Sequence, residues 1–117
     1  MVIAQETMRW MFGERSAKAE HRAALRFSDG RQPDSLSLLL FADAMAPPVF
    51  NVIDQGWVPT LELTVHCRAR PRPGWLRAVF RTRFVTGRHF DEDGELWDEQ
   101  GQLVALSRQI AALPKPR

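Results

Sequence analysis

The sequence has a single cysteine and no long apolar run, and each absence argues against a class of protein. One cysteine among 117 residues cannot form an internal disulfide, which fits a reducing compartment and predicts a cytoplasmic protein. The longest apolar run surrounds residues 38–41 and is far shorter than the roughly 20 residues that span a membrane. The first residues also lack the long apolar region of a signal peptide. We therefore expect no membrane partner.

Motifs for metal, nucleotide and serine chemistry are also missing. His21, His66 and His89 do not have the spacing of metal ligands, and no second cysteine supports Cys67 as a ligand. The sequence contains no Gly-x-Ser-x-Gly elbow, no phosphate-binding loop and no dinucleotide fingerprint. We therefore expect no metal and no cofactor. Cys67 falls on the apolar parity of its segment and is predicted to be a core thiol.

The composition is that of an ordinary globular domain. Hydrophobic residues make up 44% of the chain and charged residues 26%, and the length allows one domain with a core but not two. We expect a single domain over residues 1–117, with residues 1–6 and 114–117 as loose ends. The net charge of +2 is a weak argument for nucleic acid, and no aromatic stacking platform accompanies the arginines of residues 77–83. We expect no nucleic-acid partner.

Residues 34–45 are predicted to form one helix. Pro33 and Asp34 are start signals, and the prolines at 47–48 would stop the helix. One face of this helix carries Leu36, Leu39, Leu40 and Asp43, which are spaced at i, i+3, i+4 and i+7. A carboxylate among apolar positions is costly unless it has a partner. Asp43 is therefore the first candidate site residue, although it could also be a satisfied carboxylate at a helix end.

Apolar and polar residues alternate over most of the remaining chain, which predicts strands. The predicted strands are residues 7–12, 20–27, 60–69, 75–86, 90–97 and 102–113. One apolar helix needs cover on several sides, so the sheet must curve around it. The order predicts an α+β hotdog fold, a curved antiparallel sheet wrapped around one central helix. The side chains expected to be largely buried are Leu36, Leu39, Leu40, Leu63, Phe80, Phe84 and Leu106.

Thr60 and Gln109 are two further polar candidates. Thr60 opens the first strand after the helix, and Gln109 lies in the last strand. A carboxylate can hold or deprotonate a water, while a hydroxyl and an amide can fix the orientation of that water. Each residue also has an ordinary alternative, because Thr60 is a common strand starter and Gln109 could face solvent. The sequence does not show that Asp43, Thr60 and Gln109 converge.

Four acidic residues near the end of the chain alternate between the two faces of their predicted strand. They are Glu92, Asp93, Glu95 and Asp98. We expect them to form cross-strand pairs with Arg77, Arg81 and Arg83. These arginines could instead meet the phosphate of a nucleotide.

Four segments of the sequence carry a resemblance to a known family. They are LLFADAMAPPVF at 39–50, PTLELTVH at 59–66, DGELWD at 93–98 and GQLVALSRQ at 101–109. In these segments the chain resembles the acyl-CoA thioesterase family with the double-hotdog fold, within the thioesterase-like superfamily. The similarity covers the C-terminal hotdog half only.

The resemblance implies hydrolysis of an acyl-CoA thioester by a held water, without a covalent serine intermediate. It carries the catalytic roles to Asp43, Thr60 and Gln109, with Thr64 as the alternative to Thr60. Members of that family usually carry two hotdog halves in one chain. The resemblance therefore implies a second half from another copy, in a homodimer or higher homo-oligomer with sheets joined edge to edge, or from another protein, unless the chain is a fragment. The alternative function is a non-catalytic hotdog, either an acyl-CoA-binding protein or the partner subunit of a split enzyme. Nucleic-acid binding through the arginine strand is the third hypothesis.

Overall fold

The computed structural model describes residues 2–5, 20–43 and 58–113. Its elements are β1 (Val2–Gln5), β2 (Glu20–Arg26), α1 (Ser37–Ala42), β3 (Thr60–Cys67), β4 (Leu76–Arg81), β5 (Val85–Thr86), β6 (His89–Trp97) and β7 (Leu103–Ala112). The described strands pair antiparallel in the order β1-β2-β4-β6-β7-β3, with β5 beside β6. This curved sheet with one helix confirms the predicted α+β hotdog fold. The strand predicted at residues 7–12 lies outside the described residues.

The start of the chain differs from the expected loose end at residues 1–6. Val2–Gln5 form β1, which pairs with residues 23–26 of β2. The expectation is therefore wrong for these residues. Without β1, the outer edge of β2 would present backbone groups that lack partners. Within the described ranges, no helix is long and apolar enough to cross a bilayer.

The core lies between α1 and one side of the sheet, which we call the helix-facing side; the opposite side is the outer side. Cross-strand partners share a side of a sheet, so the register defines both sides. The large buried side chains of this core are Leu25, Leu38, Phe41, Leu76, Phe80, Leu96 and Val104. The ring of Phe41 also packs against Phe27, with centroids 4.9 Å apart.

The helix buries a different face from the one expected. Leu38, Phe41 and Ala42 are buried, whereas Leu36, Leu39 and Leu40 are 78%, 48% and 52% exposed. The prediction of a buried face over Leu36, Leu39 and Leu40 is wrong because the helix is apolar on more than one side. The sequence pattern does not say which side the sheet covers.

The other four side chains predicted to be buried are Leu63, Phe80, Phe84 and Leu106. Phe80 is 1% exposed, as predicted. Leu63 and Leu106 are half-buried. Phe84 is 68% exposed and follows the end of β4, so its predicted burial is also wrong.

The helix begins later than predicted because a capped turn precedes it, and residues 44–45 of the predicted helix lie outside the described residues. The Asp34 carboxylate accepts the backbone N–H of Ser37 at 2.8 Å, and the Ser37 hydroxyl accepts the N–H of Asp34 at 2.7 Å. This reciprocal pair satisfies donors that have no partner inside the helix. Asp34 therefore acts as the start signal that the sequence suggests, but α1 begins at Ser37.

Gly94 allows the sheet to pack tightly in the middle of β6. It lies opposite Phe80 on β4 and Ser107 on β7. A Cβ at this position would lie 2.6 Å from Cε1 of Phe80 and would also meet the Ser107 hydroxyl. Glycine at this position therefore leaves room for the Phe80 ring in the core.

Leu38→Ala tests which face of α1 is buried. Leu38 is fully buried, so its truncation leaves a cavity and should lower the free energy of unfolding by roughly 2–5 kcal/mol. Phe84→Ala removes a larger but exposed side chain and should change it by no more than about 0.5 kcal/mol. Urea denaturation of the two variants measures both. Equal losses would contradict this assignment of the core.

Candidate active site

Asp43 lies at the C-terminal end of α1, next to the sheet. Its backbone N–H donates to the carbonyl of Leu40 at 3.2 Å and ends the helix. The helix packs against β3, β6 and β7, so Asp43 lies on the helix-facing side of the sheet. Its side chain is exposed, which differs from the buried position that its alignment with the Leu36, Leu39 and Leu40 stripe suggested.

Gln109 lies in β7 on the same side of the sheet. It is opposite Leu63 of β3 and opposite Glu92 of β6. Its side chain is only 7% exposed, so the alternative of a solvent-facing glutamine is wrong. A buried amide needs hydrogen-bond partners for both its ends, and the register makes Glu92 its polar neighbour.

The register of β3 separates the two candidate threonines. Thr60 lies opposite the buried Ala111, and a bulge follows it before Glu62. Thr60 therefore lies on the helix-facing side with Gln109. Thr64 lies opposite Arg108 on the outer side, and its hydroxyl donates to the Glu62 carboxylate. Thr64 and Gln109 therefore lie on opposite sides of the sheet.

Glu92 is a fourth polar residue of this site, although its sequence pattern marks it only as one of four alternating acids. It is 6% exposed on the helix-facing side. Burial, then the negative charges of Asp43 and Asp91, raise its pKa to about 8. The negative charge of Asp43 therefore acts on the carboxyl group of Glu92. In the sequence, Glu92 has the same strand parity as the apolar residues Phe90 and Leu96, and this parity indicates that it shares their side of the sheet.

The outer side of the sheet carries paired charges. Arg81 contacts Glu95 at 3.0 Å and Arg83 contacts Asp93 at 3.8 Å, which confirms two of the expected cross-strand pairs. Arg77 lies opposite Trp97 in the register.

Two open grooves lie over this outer side. Their volumes are about 490 and 870 Å³, and Arg81 and Glu95 line both of them. Neither groove includes Asp43, Thr60 or Gln109. These two grooves of the outer side are therefore separate from the three candidate residues.

Cys67 has the predicted side of the sheet but not the predicted burial. It lies opposite Ala105 on the helix-facing side, yet it is exposed because β3 is an edge strand. Its thiol is 3.9 Å from the carbonyl of Ser35. Within the described part of the chain, no three His, Cys, Asp or Glu side chains are grouped as ligands of a metal ion.

Comparison with known proteins gives the family of this chain. Residues 2–113 match the family model described as the acyl-CoA thioesterase C-terminal domain. The protein therefore belongs to the family of acyl-CoA thioesterase C-terminal domains. This confirms the resemblance that the four sequence segments carry.

Individual relatives extend this result. Over 85 residues, 73% of the chain, it is 41% identical to the uncharacterized protein Rv0499 of Mycobacterium tuberculosis, and the match covers 29% of that protein. A protein of Thermobifida fusca YX, provisionally assigned as thioesterase II, is 33% identical with a TM-score of 0.84. A conserved hot dog fold protein of unknown function from Alicyclobacillus acidocaldarius is 21% identical with a TM-score of 0.85.

The chain spans less than half of these relatives. The structural match with the Thermobifida fusca protein covers 97% of this chain and 46% of that protein. The match with the Alicyclobacillus acidocaldarius protein covers 98% of this chain and 46% of that protein. Each relative is therefore about twice as long as the region that it shares with this chain.

The burial of Glu92 predicts a pH-dependent stability. The folded chain keeps the Glu92 proton up to about pH 8, whereas the unfolded chain loses it near the ordinary pKa of 4.5. The free energy of unfolding should therefore fall as the pH rises from about 5 to 8. Glu92→Gln should remove this fall, so that its free energy of unfolding relative to that of the wild type rises by on the order of 1–4 kcal/mol between pH 5 and 8.5.

Thermal unfolding at several pH values measures this difference. Glu95→Gln is the matched control, because Glu95 is a half-buried carboxylate of the same strand that pairs with Arg81 on the outer side. Its difference from the wild type should not grow between pH 5 and 8.5. If the difference in the free energy of unfolding between Glu92→Gln and the wild type does not change with pH, then Glu92 ionises near its ordinary pKa.

Proposed function

We propose that the protein hydrolyses acyl-CoA thioesters with a water held by Asp43, Thr60 and Gln109. The main support is that the register brings Thr60 and the buried Gln109 to the helix-facing side, where α1 ends in Asp43. Membership of the acyl-CoA thioesterase family supports the substrate class. The free, exposed thiol of Cys67 agrees with a reducing compartment, and the proposal locates the enzyme in the cytoplasm.

The proposed reaction needs no covalent intermediate on the protein. The Asp43 carboxylate accepts one proton as the water oxygen bonds to the thioester carbon, while Thr60 and Gln109 fix the direction of the water lone pair. The carbon–sulfur bond then breaks, and the thiolate of coenzyme A takes the proton from Asp43. The products are a carboxylic acid and the free thiol, so atoms and charges balance.

The proposed active form is a homodimer in which a second copy covers the exposed face of α1. Leu36, Leu39 and Leu40 at α1 and Leu61 of β3 are large apolar side chains that are 48–78% exposed. The strand β3 is an edge of the described sheet, and an uncovered edge favours pairing with another strand. Relatives about twice as long as the shared region also support a second hotdog unit. Joining the β3 edges of two copies would form one continuous sheet.

A non-catalytic role is the second candidate. Asp43 and Thr60 are both exposed in the single chain, and an exposed carboxylate holds a water poorly for attack. A chain whose partner is a different protein would then bind acyl-CoA or complete a split enzyme. The hydrolysis and assembly experiments below distinguish the two functions.

Asp43→Asn should lower kcat by roughly 10²–10⁴ and leave KM little changed, because it removes the base and keeps the shape. Release of free thiol from acyl-CoA substrates of several chain lengths measures the rate, after correction for the exposed thiol of Cys67. Thr60→Ala should lower kcat less, and Thr64→Ala, which changes the outer side of the same strand, should leave it unchanged.

Two outcomes would change the proposal. Full activity of Asp43→Asn would remove Asp43 as the base. Binding of acyl-CoA by the wild type without release of thiol would favour the non-catalytic role.

Leu40→Arg tests the proposed assembly, because it puts a charge on the apolar surface of α1. The wild type should be a dimer by light scattering at micromolar concentration, and Leu40→Arg should be a folded monomer. Ile110→Arg changes an exposed apolar residue of the outer side and should remain a dimer. A monomeric wild type would contradict the homodimer and would favour a different protein as the partner.

A further inference from the structure

Glu92 and Gln109 form a buried polar pair on the helix-facing side of the sheet. They are directly opposite each other on β6 and β7, and each is less than 8% exposed. Side chains directly opposite in an antiparallel pair have Cβ atoms about 4.5–5.5 Å apart. The carboxyl group of Glu92 is therefore within reach of the amide of Gln109, while the other strand neighbour of Gln109 is the apolar Leu63.

The amide of Gln109 has two chemically different ends, and its partner decides which end faces the site. Its carbonyl oxygen accepts hydrogen bonds and its NH₂ group donates them. A protonated Glu92 would donate its O–H to the carbonyl oxygen, which would leave the NH₂ group for the side of Asp43. An ionised Glu92 would instead accept from the NH₂ group and turn the carbonyl oxygen toward Asp43.

We infer that Glu92 is a positioning residue, and that its proton fixes the amide of Gln109 with the donor end toward the water held by Asp43. This inference rests on the proposed function. The donor end can hold the water oxygen while Asp43 accepts its proton, whereas the carbonyl end would place a second acceptor beside an anion. The protonated form of Glu92 is therefore the productive one.

The surroundings of Glu92 favour this protonated form. The charged group that faces it from α1 is Asp43, and the acidic neighbour on its own strand is Asp91. On the helix-facing side, β7 contributes Gln109 and β3 contributes Leu63 and Thr60, none of which is charged. Burial and two negative charges keep the pKa of Glu92 near 8, so the carboxyl is mostly neutral at pH 7.

The test follows the side-chain amide signals of Gln109 by ¹H–¹⁵N NMR between pH 6 and 9.5, with Gln109→Ala to assign them. In the wild type these signals should shift with a midpoint near pH 8. In Glu92→Gln, whose own NH₂ group donates to Gln109 at every pH, they should not shift. Glu95→Gln, on the outer side, should shift as the wild type does. This readout does not depend on hydrolysis, so it stands apart from a failure of the proposed function.

The pH profile of thiol release is the second readout. Wild-type kcat should fall above about pH 8, and Glu92→Gln should keep kcat within about threefold of the wild type at pH 7 and lose this alkaline fall. Glu92→Leu should lower kcat at least tenfold with KM little changed. Gln109 signals that do not move in the wild type, or an unchanged alkaline fall in Glu92→Gln, would overturn the inference. A wild type without hydrolysis would overturn the proposed function, and the NMR titration would still decide the role of Glu92.

Discussion

The structure depends on the packing of one short apolar helix against one side of a curved sheet. Leu38 and Phe41 bury one face of α1 among the side chains of the sheet. The opposite face, with Leu39 and Leu40, is exposed. The core is therefore made by the single chain, but the apolar surface of the helix exceeds what one sheet covers. This excess of apolar surface is the basis of the proposal that a second unit covers the remainder.

The same packing positions the candidate site. Because α1 lies over β3, β6 and β7, Asp43, which caps the C-terminal end of the helix, lies on the helix-facing side of these strands. The bulge at the start of β3 sets Thr60 on that side, and the register of β7 sets Gln109 there. The charged outer side, where Arg81 and Glu95 pair, has its own grooves but does not contain these residues.

The sequence predicts the strands and their sides better than it predicts burial. Alternation gives the correct side for Phe80, Cys67 and the outer-side acids, because a strand has a strict period of two. It does not show that Cys67 is exposed, since edge position is a property of the strand order. The helix pattern failed for Leu36 and Leu40, because an all-apolar helix leaves its orientation undetermined.

The candidate site shows the same limit. Its three predicted residues were carried by resemblance, and the sequence alone left Thr60 and Thr64 as alternatives. The register separates the two because the bulge changes the parity of β3. Glu92 was interpreted only as one of four alternating acids. Its importance depends on its neighbours Gln109 and Asp43, which lie on other elements and are brought near it only by the fold.

The central claim is that the helix-facing side at the end of α1 binds the acyl thioester. An NMR titration with hydrolysis-resistant thioether analogues of acyl-CoA, at short, medium and long chain lengths, tests it most directly. Binding at this site should shift the backbone signals of Asp43, Thr60 and Gln109 with at least one analogue, with no shift at Arg81 or Asp93 on the outer side. Shifts confined to the outer grooves would contradict it.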